Sequence, residues 1–110
     1  MITDDLKTVA IKTSTSGDNT IIADPGDGVY IAIDFISLNP NGGGQTIKFK
    51  NCVPNGDDIE FTLDDNQPLT FENASQHQKG VLTVNSSSAF VLNLGAATEI
   101  TGFARYRLVQ

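Results

Sequence analysis

Apolar and polar positions alternate with a period of two along most of the 110 residues, and no stretch sustains a helical period of adequate length. The densest apolar run is Val29-Tyr30-Ile31-Ala32-Ile33-Asp34-Phe35-Ile36-Ser37-Leu38, bounded by Gly28 on one side and Asn39-Pro40 on the other. A half-exposed strand would alternate, so this run predicts a long central strand buried on both faces. Crowding of its β-branched side chains and the immediate Gly and Pro limits disfavour a helix of the same length.

The other segments read as partners of that strand or as turns. Thr8 to Thr15 predicts a first strand, with Val9 and Ile11 on one face. Ser16-Gly17-Asp18-Asn19 predicts a turn, Thr20 to Ala23 a short strand, and Asp24-Pro25-Gly26-Asp27-Gly28 a tight connection. After a loop over Asn39 to Gly44, Gln45 to Lys50 alternates with Ile47 and Phe49 inward. A break around Pro54-Asn55-Gly56 precedes a half-buried strand with Ile59, Phe61 and Leu63 on one face. Leu69 and Phe71 mark a short strand that Pro68 places at an edge. A polar connection from Asn73 to Gly80 leads to short strands at Val81 to Asn85 and Phe90 to Leu94. In the last run, Thr98 to Val109, one face holds Ile100, Gly102, Ala104, Tyr106 and Leu108. The other holds Thr101, Phe103, Arg105, Arg107 and Val109. The small residues Gly102 and Ala104 signal close sheet packing or a bulge. Eight or nine short strands separated by Gly, Pro and Asn turns predict an all-β, single-domain β-sandwich, with a jelly roll as the leading topology. Residues 1–7 are expected to form an N-terminal arm and residues 8–110 the sandwich.

Composition narrows the function classes. Thirteen acidic against seven basic side chains give a net charge of -6, which opposes binding to nucleic acid or anionic membrane. The single cysteine, Cys52, excludes an intramolecular disulfide and a cysteine-based zinc site. The start, Met1 to Lys7, lacks a basic segment followed by an apolar one, and no apolar run approaches the ~20 residues of a membrane span. The expectation is a soluble chain made in a reducing cytosol.

Candidate chemistry is sparse. His77 lies between Gln76 and Gln78 with no adjacent nucleophile or orienting partner, and reads as a loop histidine. Cys52 reads as a small packed residue, since nothing nearby in sequence would lower its pKa. The acidic turns Asp24/Asp27, Asp57/Asp58 and Asp64/Asp65 offer oxygens, but without the spacing of an EF-hand or a Gly-rich β-roll repeat. Gly42-Gly43-Gly44 is followed by no Lys-Ser/Thr and reads as a hairpin or contact loop. Arg105 and Arg107 share one strand face, placed either to pair with an acidic neighbour or subunit or to lie in solvent. Tryptophan is absent, which weakens a lectin reading. No catalytic, cofactor-binding or metal-ligating residue is assigned, no cofactor is expected, and an enzyme is the last-ranked reading.

The C-terminal residues Phe90-Val91-Leu92-Asn93-Leu94-Gly95, then Ala96 to Arg107 with Thr101-Gly102-Phe103 and Tyr106-Arg107, resemble small all-β proteins encoded among tailed-phage virion genes. The Thr-rich opening strand, Gly17-Asp18-Asn19-Thr20, the Pro-Gly turn and Ile47-Lys48-Phe49-Lys50 extend the likeness over most of residues 8 to 109, while residues 51 to 79 depart from it. The resemblance implies a virion structural protein: a capsid decoration (cement) protein, commonly a homotrimeric jelly roll, on the virion surface. Its partners would be itself and the major capsid protein or another virion protein. The alternative it implies is a receptor- or glycan-binding tip domain of a phage fibre.

Overall fold

The computed structural model describes residues 6–52, 59–73 and 80–110. Its strands, in chain order, are β1 (Lys7–Thr13), β2 (Gly17–Ile22), β3 (Tyr30–Asn41), β4 (Gln45–Lys50), β5 (Ile59–Leu63), β6 (Leu69–Glu72), β7 (Leu82–Thr83), β8 (Phe90–Leu94) and β9 (Glu99–Val109). They form two antiparallel sheets, ordered β1-β9-β3-β6, with β7 also pairing β3, and β2-β8-β4-β5. The chain is therefore an all-β sandwich with the strand order of a jelly roll, in which successive strands from β1 to β4 pass from one sheet to the other.

The core lies between the sheets and follows the alternation. Ile47 and Phe49 from β4, Phe90, Leu92 and Leu94 from β8, and Ile100 and Ala104 from β9 are buried. Phe49 is its aromatic hub, meeting Phe61 and Phe90 of its own sheet and Phe71 of the other at ring separations of 5.4, 5.7 and 6.3 Å. Gln45 is the buried polar side chain among the described residues. Its amide donates to the Thr98 carbonyl at 2.8 Å and its carbonyl accepts from the Ala96 N–H at 3.1 Å, tying the β8–β9 connection to β4. Both ends being satisfied, the burial carries no desolvation penalty of an orphaned group.

Several expectations are corrected. The central strand is not buried on both faces. One face is inward; on the other, Phe35, Ser37, Asn39 and Asn41 are half-buried. The near-continuous apolar run arises because Asp34 is an extra residue: Ile33 pairs Tyr106 and Phe35 pairs Arg105, leaving Asp34 bulged. Ile31 and Ile33 face inward before the bulge, and Ile36 and Leu38 after it. Strand β3 also continues through Pro40 to Asn41 instead of ending at Leu38. The Pro40 carbonyl accepts from the Asn66 N–H, so its backbone polar side points away from β9, where a missing N–H leaves the β9 ladder intact. Gly17 to Asn19 belong to β2, not to a turn, with the Asn19 amide donating to the carbonyls of Thr15 and Gly17. Gly42 to Gly44 connect one sheet to the other and form no hairpin. Lys7, expected in the arm, begins β1.

Gly102 shows why a small residue stands in the closing strand. Its φ is +152°, and a Cβ there would lie 1.8 Å from the Ser37 carbonyl oxygen of β3. Gly102→Ala is expected to cost about 2–4 kcal/mol, combining backbone strain with overpacking. A urea midpoint close to that of the unaltered chain would show that β3 and β9 do not approach this closely.

Candidate functional site

The two outer faces of the sandwich differ in kind. On the β2-β8-β4-β5 sheet, one rung runs Asp18, Asn93, Lys48, Glu60 across all four strands. The Asn93 amide donates to the Asp18 carboxylate at 2.6 Å, Lys50 approaches the same carboxylate at 3.7 Å, and Lys48 lies 4.0 Å from Glu60. Cross-strand polar pairs of this sort satisfy one another while facing solvent.

The outer face of the β1-β9-β3-β6 sheet is aromatic and basic at its centre. One rung runs Thr8, Arg105, Phe35, Glu72 and the next Ala10, Phe103, Ser37, Thr70. Phe35 and Phe103 are diagonal neighbours on β3 and β9. Their rings stack at 5.1 Å with planes 23° apart, within the range for an offset aromatic pair. The Arg105 guanidinium lies over the Phe103 ring, 5.7 Å from its centroid. Beside the pair opens a groove of about 470 Å³, lined by Asp34, Phe35, Glu72, Asn73, Arg105 and Arg107, together with Leu6 just before β1. Leu6 is the large hydrophobic side chain left exposed among the described residues.

The bulge builds this groove. It turns Asp34 and Phe35 to the outer side, where the Asp34 carboxylate meets Arg107 at 2.7 Å and accepts from the Asn73 amide at 3.0 Å. The Asp34 carbonyl accepts the Asn73 N–H at 2.8 Å, and the neighbouring Ile33 carbonyl accepts Val81 N–H at 2.7 Å. The extra residue thus stands where β3 changes partner from β6 to β7. Arg107 and Asp34 are only 27% and 16% exposed, so their contact is short and shielded.

The two arginines that sequence placed on one face do share it, with different partners: Arg107 pairs with Asp34, and Arg105 stacks on Phe103. Cys52 is buried; its thiol points to the Lys50 carbonyl at 3.7 Å, and its backbone bridges Val84. His77 and the Asp57/Asp58 pair lie outside the described residues. The Asp24 carboxylate accepts the Gly26 N–H within its own turn, and the Asp65 carboxylate accepts the Gly42 N–H, tying the β5–β6 connection to the β3–β4 connection. Among the described residues no group of three His, Cys, Asp or Glu side chains is placed to hold a metal. What sequence reasoning missed is Phe35, assigned to the core, and with it the aromatic surface. The acidic Asp34 interrupting an apolar run was the available signal.

The shielded pair and the exposed pair separate in a double-mutant cycle. Removing Asp34 and Arg107 singly and together is expected to give a coupling energy of about 1–3 kcal/mol, against about 0–0.5 kcal/mol for Lys48 and Glu60. Equal couplings measured by urea denaturation would mean that the Asp34–Arg107 contact is no better shielded than a surface pair.

No family model matches the chain, and no curated protein does. Among solved structures the fold is similar to that of a chain from Bacillus endospore appendages, described as a novel family of disulfide-linked pili. The two are 18% identical with a TM-score of 0.55, and the match covers 96% of this chain and 87% of that one. At that identity the likeness concerns the fold alone.

Proposed function

We propose that this protein is a virion structural protein of a tailed phage, a capsid decoration protein that binds the head exterior as a homo-oligomer. The observation that carries the reading is the contrast between the two outer faces. One is a ladder of mutually satisfied polar pairs; the other presents stacked Phe35 and Phe103 beneath Arg105. A half-buried aromatic pair beneath an exposed arginine on the outer face of a sheet has the composition of a protein-binding surface. The residues behind the phage resemblance contribute directly. Of the closing strand, Thr101, Phe103 and Arg107 line the outer face, while Gly102 lets β9 lie close against β3. The mechanism is binding without chemistry: a protein that attaches only to the assembled lattice stabilises it by mass action.

The similarity to a pilus subunit is compatible with an assembling protein, but not by the same chemistry. With Cys52 as the one cysteine in the sequence, and that buried, a thiol could join at most two chains. Assembly of this protein would rest on noncovalent contacts. A second reading, a glycan- or receptor-binding tip domain of a phage fibre, draws on the open groove with its aromatic wall, carboxylates and amide.

The test is to add the purified chain to phage heads prepared without it. Saturable binding with a rise in the heads' disruption temperature is expected. Phe103→Ala with Arg105→Ala should weaken binding about tenfold or more, whereas Lys48→Ala with Glu60→Ala should leave it unchanged. Heads that take up no protein would refute the decoration reading.

A further inference from the structure

The outer face of the β1-β9-β3-β6 sheet has a charge arrangement that none of the foregoing uses. Phe35 is flanked across the sheet by Arg105 on β9 and Glu72 on β6, each directly opposite it in register. Both are exposed, and neither has an ion-pair partner among the described residues, in contrast to Asp34 and Arg107 beside them. One positive and one negative charge therefore stand on either side of an aromatic centre, two strand spacings or about 10 Å apart.

We propose that this face docks a second copy of the same chain, with a two-fold axis lying between the two faces and parallel to β3. This inference does not rest on the virion reading; on a decoration protein this face would join the copies, and the Phe103→Ala, Arg105→Ala variant would lose head binding through loss of the oligomer. Rotation about that axis exchanges left and right across the sheet and leaves the strand direction unchanged. Arg105 of one copy then stands over the partner's Glu72, Glu72 over the partner's Arg105, and Phe35 over the partner's Phe35. The alternative in-plane axis, perpendicular to the strands, stacks Arg105 on the partner's Arg105 and is rejected by charge. An isologous interface requires a patch complementary to its own rotated copy, and this rung meets the requirement. The four charged side chains of the groove, Asp34, Glu72, Arg105 and Arg107, sum to zero on a chain whose net charge is -6, so the face meets its copy without the repulsion of the whole. Sheets packed face to face sit about 10 Å apart, close enough for the flanking side chains to meet.

The test uses two single charge reversals, Arg105→Glu and Glu72→Arg, in the full chain. Both positions are exposed, and matching circular dichroism and urea midpoints establish that the variants fold. Arg105→Ala and Glu72→Ala provide a milder second pair. The unaltered chain is expected to sediment as a dimer. Each reversal puts like charges at both meeting points and should raise the dissociation constant about tenfold or more. An equimolar mixture of the two reversed variants restores opposite charges at both points and should dimerise as the unaltered chain does. The proposal is overturned if the unaltered chain stays monomeric at every concentration, or if it associates regardless of both reversals. It is also overturned if the mixture fails to recover, as in a three-fold ring, where two variants cannot alternate around an odd number of interfaces.

Discussion

The extra residue in β3 is the constraint on which the rest of the molecule depends. Side chains on a strand alternate strictly, so one added residue exchanges the two faces for everything beyond it. With Asp34 bulged, Ile31 and Ile33 reach the core on one side of it and Ile36 and Leu38 on the other. The bulge is held from three directions: by Arg107 on the carboxylate, by the Asn73 amide on the same carboxylate, and by the Asn73 N–H on the carbonyl. Gly80 guards the adjoining point, where a Cβ would lie 2.3 Å from the Ile33 carbonyl. A register slip of β3 would have to break all of these contacts and turn its isoleucines outward.

This is also where the sequence was hardest to read. The alternation of β4, β5, β8 and β9 was visible residue by residue, because those strands keep one phase from end to end. Their inward sets, from Ile47 and Phe49 to Ile100 and Ala104, stand where alternation put them. Gly102 was legible as a point of close approach for the same reason. Strand β3 superposes two alternations of opposite phase, and their sum resembles unbroken burial. Phe35 was consequently assigned to the core, and the aromatic half of the candidate site vanished with it. Arg105, Arg107 and Phe103 were placed on a common face, but pairing across strands depends on register. Nothing in the local sequence reveals that Glu72 lies opposite Phe35, since β3 and β6 are separated by two crossings between sheets. Pro40 illustrates a milder version: its ring signals a strand end, yet the tertiary partner Asn66 meets its outward side and the strand continues.

Folding pairs the charges along a rung of one face and leaves two charges on a rung of the other without ion-pair partners among the described residues. The Asp18, Asn93, Lys48, Glu60 rung spends its donors and acceptors within the sheet, whereas the Thr8, Arg105, Phe35, Glu72 rung keeps a cation and an anion without ion-pair partners among the described residues. Both faces lie on antiparallel sheets, and the difference comes from side-chain choice together with the bulge that turns Asp34 and Phe35 outward. A sandwich with one quiet and one receptive face is directional: it can attach to a surface or to a copy of itself while its other face stays in solvent.

Charge decides how such a face can operate on an acidic chain. Much of the surplus negative charge on the described residues lies in turns, at Asp24, Asp27, Asp64 and Asp65, away from the groove. At physiological ionic strength the Debye length is about 8 Å, so charges separated by more than that across two copies are largely screened. Arg105 and Glu72 meeting a partner at contact distance fall within that length and are screened far less. Added salt therefore removes the net repulsion between two acidic copies before it removes the local attraction between their faces. For self-association through this face, moderate salt is favourable, whereas capture of a basic partner by the acidic chain as a whole is weakened by it. The sign of the salt dependence thus distinguishes a locally balanced interface from a globally attracted one, and the neutral sum of Asp34, Glu72, Arg105 and Arg107 is what the proposed self-docking requires of the first class.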